Sequence, residues 1–303
     1  MRNPVPLSGF SDALQSLMDS IGPVWGTDIR KYRDLVWDAF DPLLRAAPKD
    51  GVAVTRDVPY GNHPRQVLDI YRPANARLAP VVVFVHGGAF VRGAKTASAE
   101  GYGNVLTWFA RQGYLGINME YRLAPEAVYP AGADDIAGVV AWIKASAAAQ
   151  GGDPDRIFLV GHSAGGTHVA TYAFDPAAKH MGRSVRGIVL LSSRLRADVS
   201  AENPNAGGVR AYFGPDESLY DMRSPVAHCA TTAMPTFVAI AEFENPLLDI
   251  YGLEFAWRLS VARRHAVPVL RLARHNHISM VAHFNTQEEI LGRAITDFFA
   301  SVA

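Results

Sequence analysis

The spacing of hydrophobic positions changes several times along the chain, and each change marks an element. In DIRKYRDLVWDAFDPLLRAA, residues 28–47, Tyr32, Leu35, Val36, Ala39 and Leu43 or Leu44 recur at helical spacing with charges opposite. That predicts an amphipathic helix, and residues 1 to about 48 are expected to be helical throughout. VAVTRDVPYG then alternates like an edge strand and pairs naturally with QVLDIYRP across the turn GNHPR. PVVVFVHGG is a continuous β-branched run, as a strand buried on both faces of a parallel sheet requires. YLGINMEYR, RIFLVG, GIVLLSS, PTFVAIAE and VPVLRLA read as further strands. Helical stretches lie between them, with glycine stops after EGYGNVLTWFARQG and DDIAGVVAWIKASAAAQGG, and EEILGRAITDFFASV closes the chain.

Strands alternating with helices predict an α/β fold, a mostly parallel sheet covered on both faces. The 303 residues are read as one domain, 1–303. Residues 192 to 234, rich in Gly, Pro, Asn and Ser, show no strand period and are expected to lie over the sheet as an insertion. With residues 1–48 they are expected to form a lid or cap. No repeat or low-complexity tract interrupts the pattern.

Charge narrows the partners. Lys plus Arg and Asp plus Glu both number 29, so no long-range field would draw in nucleic acid or an anionic membrane. No apolar run reaches the ~18 residues that span a bilayer, and the N-terminus lacks the layout of a secretory signal. The single cysteine, Cys229, excludes an internal disulfide and a thiolate metal cluster. The expectation is a reduced, cytoplasmic protein without metal or organic cofactor. No cluster of His and carboxylates stands out at ligand spacing.

The candidate chemistry sits in FLVGHSAGGTHVA, residues 158–170. An apolar strand stops, Ser163 lies between Gly161 and Gly165, and a small-residue helix starts at once. A serine on so tight a strand-to-helix turn needs small neighbours, and the turn lifts its hydroxyl above the carboxyl ends of the strands. The following helix points its positive end at the same place. A serine alone is a poor nucleophile and needs a base, a group orienting the base, and donors for an oxyanion. HGGAF, residues 86–90, directly follows a buried strand, so Gly87 and Gly88 can turn free N–H groups to the site, and the Ala164 N–H would complete the cradle.

HGGAF, YRLAPEAVYPAGADD and GHSAGG together resemble the signature of the hormone-sensitive-lipase-like branch of the α/β-hydrolases, over residues 50 to the end. The resemblance implies the α/β-hydrolase fold with a helical lid and a carboxylesterase mechanism through an acyl-enzyme. Tyr121, Arg122, Pro125 and Asp135 are then framework residues holding the oxyanion loop. Where the family reads HGGG this chain has Ala89, which keeps an N–H and narrows the acyl side. In this fold the acid and then the histidine follow the serine. RLARHNHISM places the base at His277, with His275 and His283 as alternatives; His162, His168 and His86 are read as neighbours or structural residues. The family's Asp-Pro-Leu becomes AIAEFENPLLD here: counting back from Pro-Leu lands on Asn245, which is uncharged, while counting forward from the strand lands on Glu244. Glu244 is the expected acid, with Asp249 and then Glu242 as alternatives. Ala89 and Phe90 are expected to touch substrate, with Trp25, Tyr212 and Phe213 as further apolar walls. The expected partner is a small-molecule ester, and the sequence leaves a homo-oligomer open. An arylformamidase-type amide hydrolase on the same site is the alternative activity. A binding protein of the same fold that has lost its catalytic histidine is a third reading, and His277 argues against it.

Overall fold

The computed structural model describes residues 9–302. Its centre is one eight-stranded sheet in the order β1-β2-β4-β3-β5-β6-β7-β8. The strands are β1 (Val52–Pro59), β2 (Val67–Pro73), β3 (Ala79–Val85), β4 (Leu115–Met119), β5 (Gly152–His162), β6 (Gly187–Leu191), β7 (Thr236–Phe243) and β8 (Val269–Asn276). β2 runs antiparallel to both β1 and β4, and every other pair is parallel. β1 is an exposed edge, as its alternation predicts, and β3 and β5 are central.

Period-2 geometry explains the apolar runs. Val81, Val83 and Val85 face one core with Ile157 and Leu159, whereas Val82, Phe84, Phe158 and Val160 face the other. Both faces are dry, so no position in β3 tolerates a polar residue. The first core is closed by α4 (Ala131–Ser146), α5 (Ala164–Phe174) and α8 (Leu248–Arg263). The second is closed by α1 (Asp12–Ile21), α2 (Ile29–Ala46), α3 (Gly103–Arg111) and α10 (Ile290–Val302). Between β6 and β7 lie α6 (Ala206–Phe213) and the short α7 (Tyr220–Arg223); α9 (Ser279–Ala282) follows β8.

The N-terminal region is helical from Asp12, with a 3-10 segment, Gly22–Thr27, linking α1 to α2; residues 1–8 of the expected lid lie outside the described residues. The buried face of α2 differs from the expected stripe. It consists of Val36, Trp37, Phe40 and Leu44, while Leu35 and Leu43 are exposed. The two bulky aromatics rotate the helix toward themselves, because each hides more area than a leucine. β5 starts four residues before the expected RIFLVG, at Gly152. Residues 192–234 hold helices and turns without a strand, as expected.

The rotated face of α2 is directly testable. Phe40→Ala should cost about 3–5 kcal/mol of unfolding free energy, and Leu43→Ala less than about 0.5; urea denaturation of the two variants checks it, and equal losses would restore the leucine stripe.

Candidate active site

Ser163 stands between β5 and α5 with φ 57° and ψ −120°, a conformation that an L-residue adopts only under constraint. The constraint is visible on both sides. Its N–H donates to the Leu191 carbonyl (2.9 Å), and its own carbonyl accepts from the N–H groups of Gly166 (3.1 Å) and Arg194 (3.3 Å). A Cβ on Gly165 would run into the backbone carbonyls of Val85 and His86, so this helix can start against the end of β3 only as glycine. The Ser163 hydroxyl makes no hydrogen bond to a described residue and opens into a cleft of about 980 Å³.

The segment after β3 borders the same cleft. Gly87 comes so near Ser163 that a Cβ there would sit 3.0 Å from the Ser163 Cβ. Gly88 has φ 145°, and a Cβ on it would collide with the Arg92 carbonyl. The N–H groups of Gly88 and Ala164 make no hydrogen bond to a described residue, whereas the Gly87 N–H faces the buried Tyr102 hydroxyl. Burial pushes that hydroxyl's pKa up to about 12, with the Gly87 N–H opposing.

A buried ionic lattice carries this loop. His86 Nε2 lies 2.8 Å from Glu120 Oε1, Glu120 Oε2 accepts from the Lys95 N–H (2.9 Å), and Arg65 pairs with the same carboxylate. Burial alone would raise the Glu120 pKa. The His86 hydrogen bond and charge, the Lys95 N–H and Arg65 outweigh it and hold it below the ordinary range. The Tyr121 hydroxyl donates to the His86 carbonyl (2.9 Å), and its ring stacks on His86 at 4.3 Å. Arg122 pairs with the fully buried Asp135 (2.8 Å). The family residues Tyr121, Arg122 and Asp135 therefore touch the loop or its supports and no part of the cleft.

His277 directly follows β8 and lines the cleft with Ser163. Its Nδ1 lies 2.8 Å from Glu244 Oε2, both side chains nearly dry. Glu244 Oε1 accepts from the Ala241 N–H (2.9 Å) and from the Ser192 hydroxyl. The His277 N–H donates to the Phe243 carbonyl (3.1 Å), so strand end and histidine loop are joined by backbone as well. Glu242 turns elsewhere, accepting from the Arg274 N–H (2.6 Å) and pairing with Arg271 (3.0 Å). Asp249 sits in the first turn of α8. Asn245 accepts from Trp25 Nε1 (2.9 Å) and so ties the 3-10 segment to the position where the family has aspartate.

The other histidines near the serine are committed. His162 Nε2 donates to the His277 carbonyl (2.9 Å); burial, then the charge of His277, holds its pKa well below the ordinary value. His168 is packed among Phe90, Tyr121 and Tyr212, and burial pushes it down to about 3. Both stay neutral at physiological pH.

Of the expected walls, Ala89, Phe90 and Trp25 line the cleft. Tyr212 and Phe213 do not: Tyr212 stacks on Phe90 at 4.8 Å and Phe213 meets its edge at 5.5 Å, so both form a buried layer behind the wall. Sequence reasoning missed Tyr102, Ser192 and Arg194. Arg194 lines the cleft almost wholly buried, 3.5 Å from Asp198, and burial lowers its pKa. None of the three belongs to a motif; each is recruited by a loop end that meets the site only in three dimensions. The structure also brings together a group without ligand spacing in the sequence: His275, His283 and Glu288 converge in the interior. Their spacing of eight and five residues fits no single helix face, so folding alone assembles them.

Comparison with known proteins agrees with this architecture. The BD-FAE family model matches residues 68–201. Esterase LipQ of Mycobacterium tuberculosis (strain ATCC 25618 / H37Rv) is 26% identical over 95% of this chain and 73% of its own. An arylesterase of Saccharolobus solfataricus is 27% identical over 72% and 74%. Among solved structures, a hyperthermophilic esterase from the archaeon Pyrobaculum calidifontis superposes with a TM-score of 0.70 at 21% identity, covering 97% of both chains, which is a likeness of fold. These comparisons show a likeness to esterases in sequence and to an esterase in fold, and the order of the HGGAF, YRLAPEAVYPAGADD and GHSAGG segments agrees with both.

Proposed function

We propose that this chain is a serine hydrolase cleaving carboxylic esters of small molecules, with Ser163 as nucleophile, His277 as base and Glu244 as the acid orienting it. The observation that carries the reading is the 2.8 Å contact between Glu244 and His277, in a dry pocket whose histidine shares a cleft with the strained serine. The Glu244 carboxylate holds the Nδ1 proton in place, leaving the Nε2 lone pair for the serine. As Ser163 attacks the ester carbonyl, His277 takes the hydroxyl proton and then gives it to the departing alcohol. Water hydrolyses the acyl-enzyme by the same two steps. The Ser163 hydroxyl is free before substrate arrives, and its hydrogen bond to His277 forms as substrate closes the site.

The oxyanion is held by the N–H groups of Gly88 and Ala164, which are free, and Gly87, which exchanges its Tyr102 neighbour for substrate. Each donor contributes about 3–4 kcal/mol to the transition state. Ala89 and Phe90 face the substrate. The described helices before β1 and residues 192–234 act as the cap: Trp25 and Trp37 from the first, Arg194, Pro204 and Asn205 from the second, border the cleft. The near-neutral charge balance supports a small-molecule partner rather than nucleic acid. The single buried thiol, Cys229, supports a reducing, cytoplasmic setting. Among the described residues no helix is long and apolar enough to cross a membrane.

The surface also supports a homodimer. α8 exposes Ile250, Leu253, Trp257 and Val261 at helical spacing, beside the edge strand β8. Such a stripe next to an open sheet edge suits a self-complementary two-fold contact. Sedimentation should therefore show a dimer that Trp257→Lys splits into monomers; a monomeric wild type contradicts the contact.

Turnover of p-nitrophenyl acetate tests the triad. Ser163→Ala should lower kcat by about 10⁶-fold, and Glu244→Gln by about 10⁴-fold. Asp249→Asn and Glu242→Gln should change it only a few-fold. Loss confined to Asp249→Asn would move the acid to α8, and a more rapid turnover of N-formyl anilides than of esters would favour the amide-hydrolase alternative.

A further inference from the structure

A second group of polar side chains lies behind the histidine loop. His275 near the end of β8, His283 just after α9, and Glu288 ahead of α10 meet in the interior, each side chain about 1% exposed. Glu288 Oε2 lies 3.3 Å from Nε2 of both rings, and the three atoms all lie within 4.8 Å of one another. None of the three has a hydrogen-bond partner.

The remaining contacts fix what these atoms present. His283 Nδ1 lies 2.8 Å from the Ser279 carbonyl, which can only accept, so that nitrogen carries the proton. His275 Nδ1 lies 3.1 Å from Ser279 Oγ, which can take its proton because the hydroxyl has its own acceptor in the Asn276 carbonyl (3.3 Å). The other carboxylate oxygen, Glu288 Oε1, accepts from the Ile290 N–H (3.1 Å). With Nδ1 carrying the proton on both rings, two imidazole lone pairs and one carboxylate lone pair face each other. A proton shared by ring and carboxylate would draw N and O to about 2.7–2.9 Å with good alignment. The observed separations, 3.3 Å to both rings, are longer than that.

A carboxylate held unpaired in a dry interior costs several kcal/mol, and a cation removes that cost. The 3.3 Å separations are those that two ligands at Zn–N and Zn–O distances of about 2.0–2.2 Å subtend at a tetrahedral ion. Two imidazoles and a carboxylate are a ligand set that zinc accepts. Each ring anchors its second nitrogen on a backbone or hydroxyl oxygen, as metal-ligating histidines do. We propose that His275, His283 and Glu288 bind a zinc ion that pins the junction of β8, α9 and α10 and so steadies the loop carrying His277. The ion takes no part in ester cleavage, and the site stands whether or not His277 is the base. Being buried, it is filled as the chain folds.

The test is metal content, read independently of activity. Purified full-length protein should carry about one zinc per chain by plasma mass spectrometry. Unfolding in chelator and refolding with Zn²⁺ should restore that content and raise Tm above the value after refolding in chelator alone. Refolding with Co²⁺ should produce visible ligand-field absorption. Glu288→Gln and His283→Gln, checked for native circular dichroism, should lose the metal. Wild type that is metal-free as purified and binds neither Zn²⁺ nor Co²⁺ on refolding would overturn the proposal, as would folded variants that keep a full complement. Two variants and the wild-type refolding arm keep the result interpretable if one substitution prevents folding.

Discussion

The site rests on one backbone constraint: Ser163 is held with positive φ between the end of β5 and the start of α5. A turn that sharp exists only because α5 starts in van der Waals contact with the end of β3, across a glycine that no other residue can replace. The same contact brings Gly87 alongside the serine. One close approach, of the start of α5 to the end of β3, thus sets both the position of the hydroxyl and that of Gly87 beside it. The strain is affordable because the strands on either side are dry on both faces, and their packing overdetermines the turn.

Electrostatic order is built outward from that point. Glu120 is the hub under the loop after β3, compensated by His86, Arg65 and the Lys95 backbone N–H, and removing either side chain would leave a poorly solvated carboxylate there. Glu244 is the corresponding hub on the histidine side, with an N–H, a hydroxyl and an imidazole on its two oxygens. Both carboxylates do their work by fixing another group, and both are nearly hidden from solvent. Trp25 extends the framework to the helices before β1 by donating to Asn245, the residue after Glu244.

Much of this was legible in the sequence, for identifiable reasons. The β-branched runs announced the buried strands because a two-faced sheet allows nothing polar, and the serine turn was marked by glycines whose packing demands are local. The carboxylate beside His277 is the one that counting forward from the strand end reaches, whereas counting back from Pro-Leu leads to Asn245, which holds Trp25. What could not be read was set by distant contacts. The rotation of α2 depends on which of its apolar residues the sheet accepts, and Trp37 and Phe40 outbid Leu35 and Leu43. Tyr212 and Phe213 were expected at the wall, but Phe90 fills the front rank and they stack behind it. The His275–His283–Glu288 group has no sequence period at all, because it draws on a strand, a short helix and a loop.

The most direct measurement is to label the protein with a fluorophosphonate and locate the adduct by peptide mass spectrometry, comparing the labelling rate with that of His277→Ala. The account predicts a single adduct on the peptide containing Ser163, formed orders of magnitude more slowly when the imidazole is gone. An adduct on another residue, or an unchanged rate at Ser163 without His277, would contradict it.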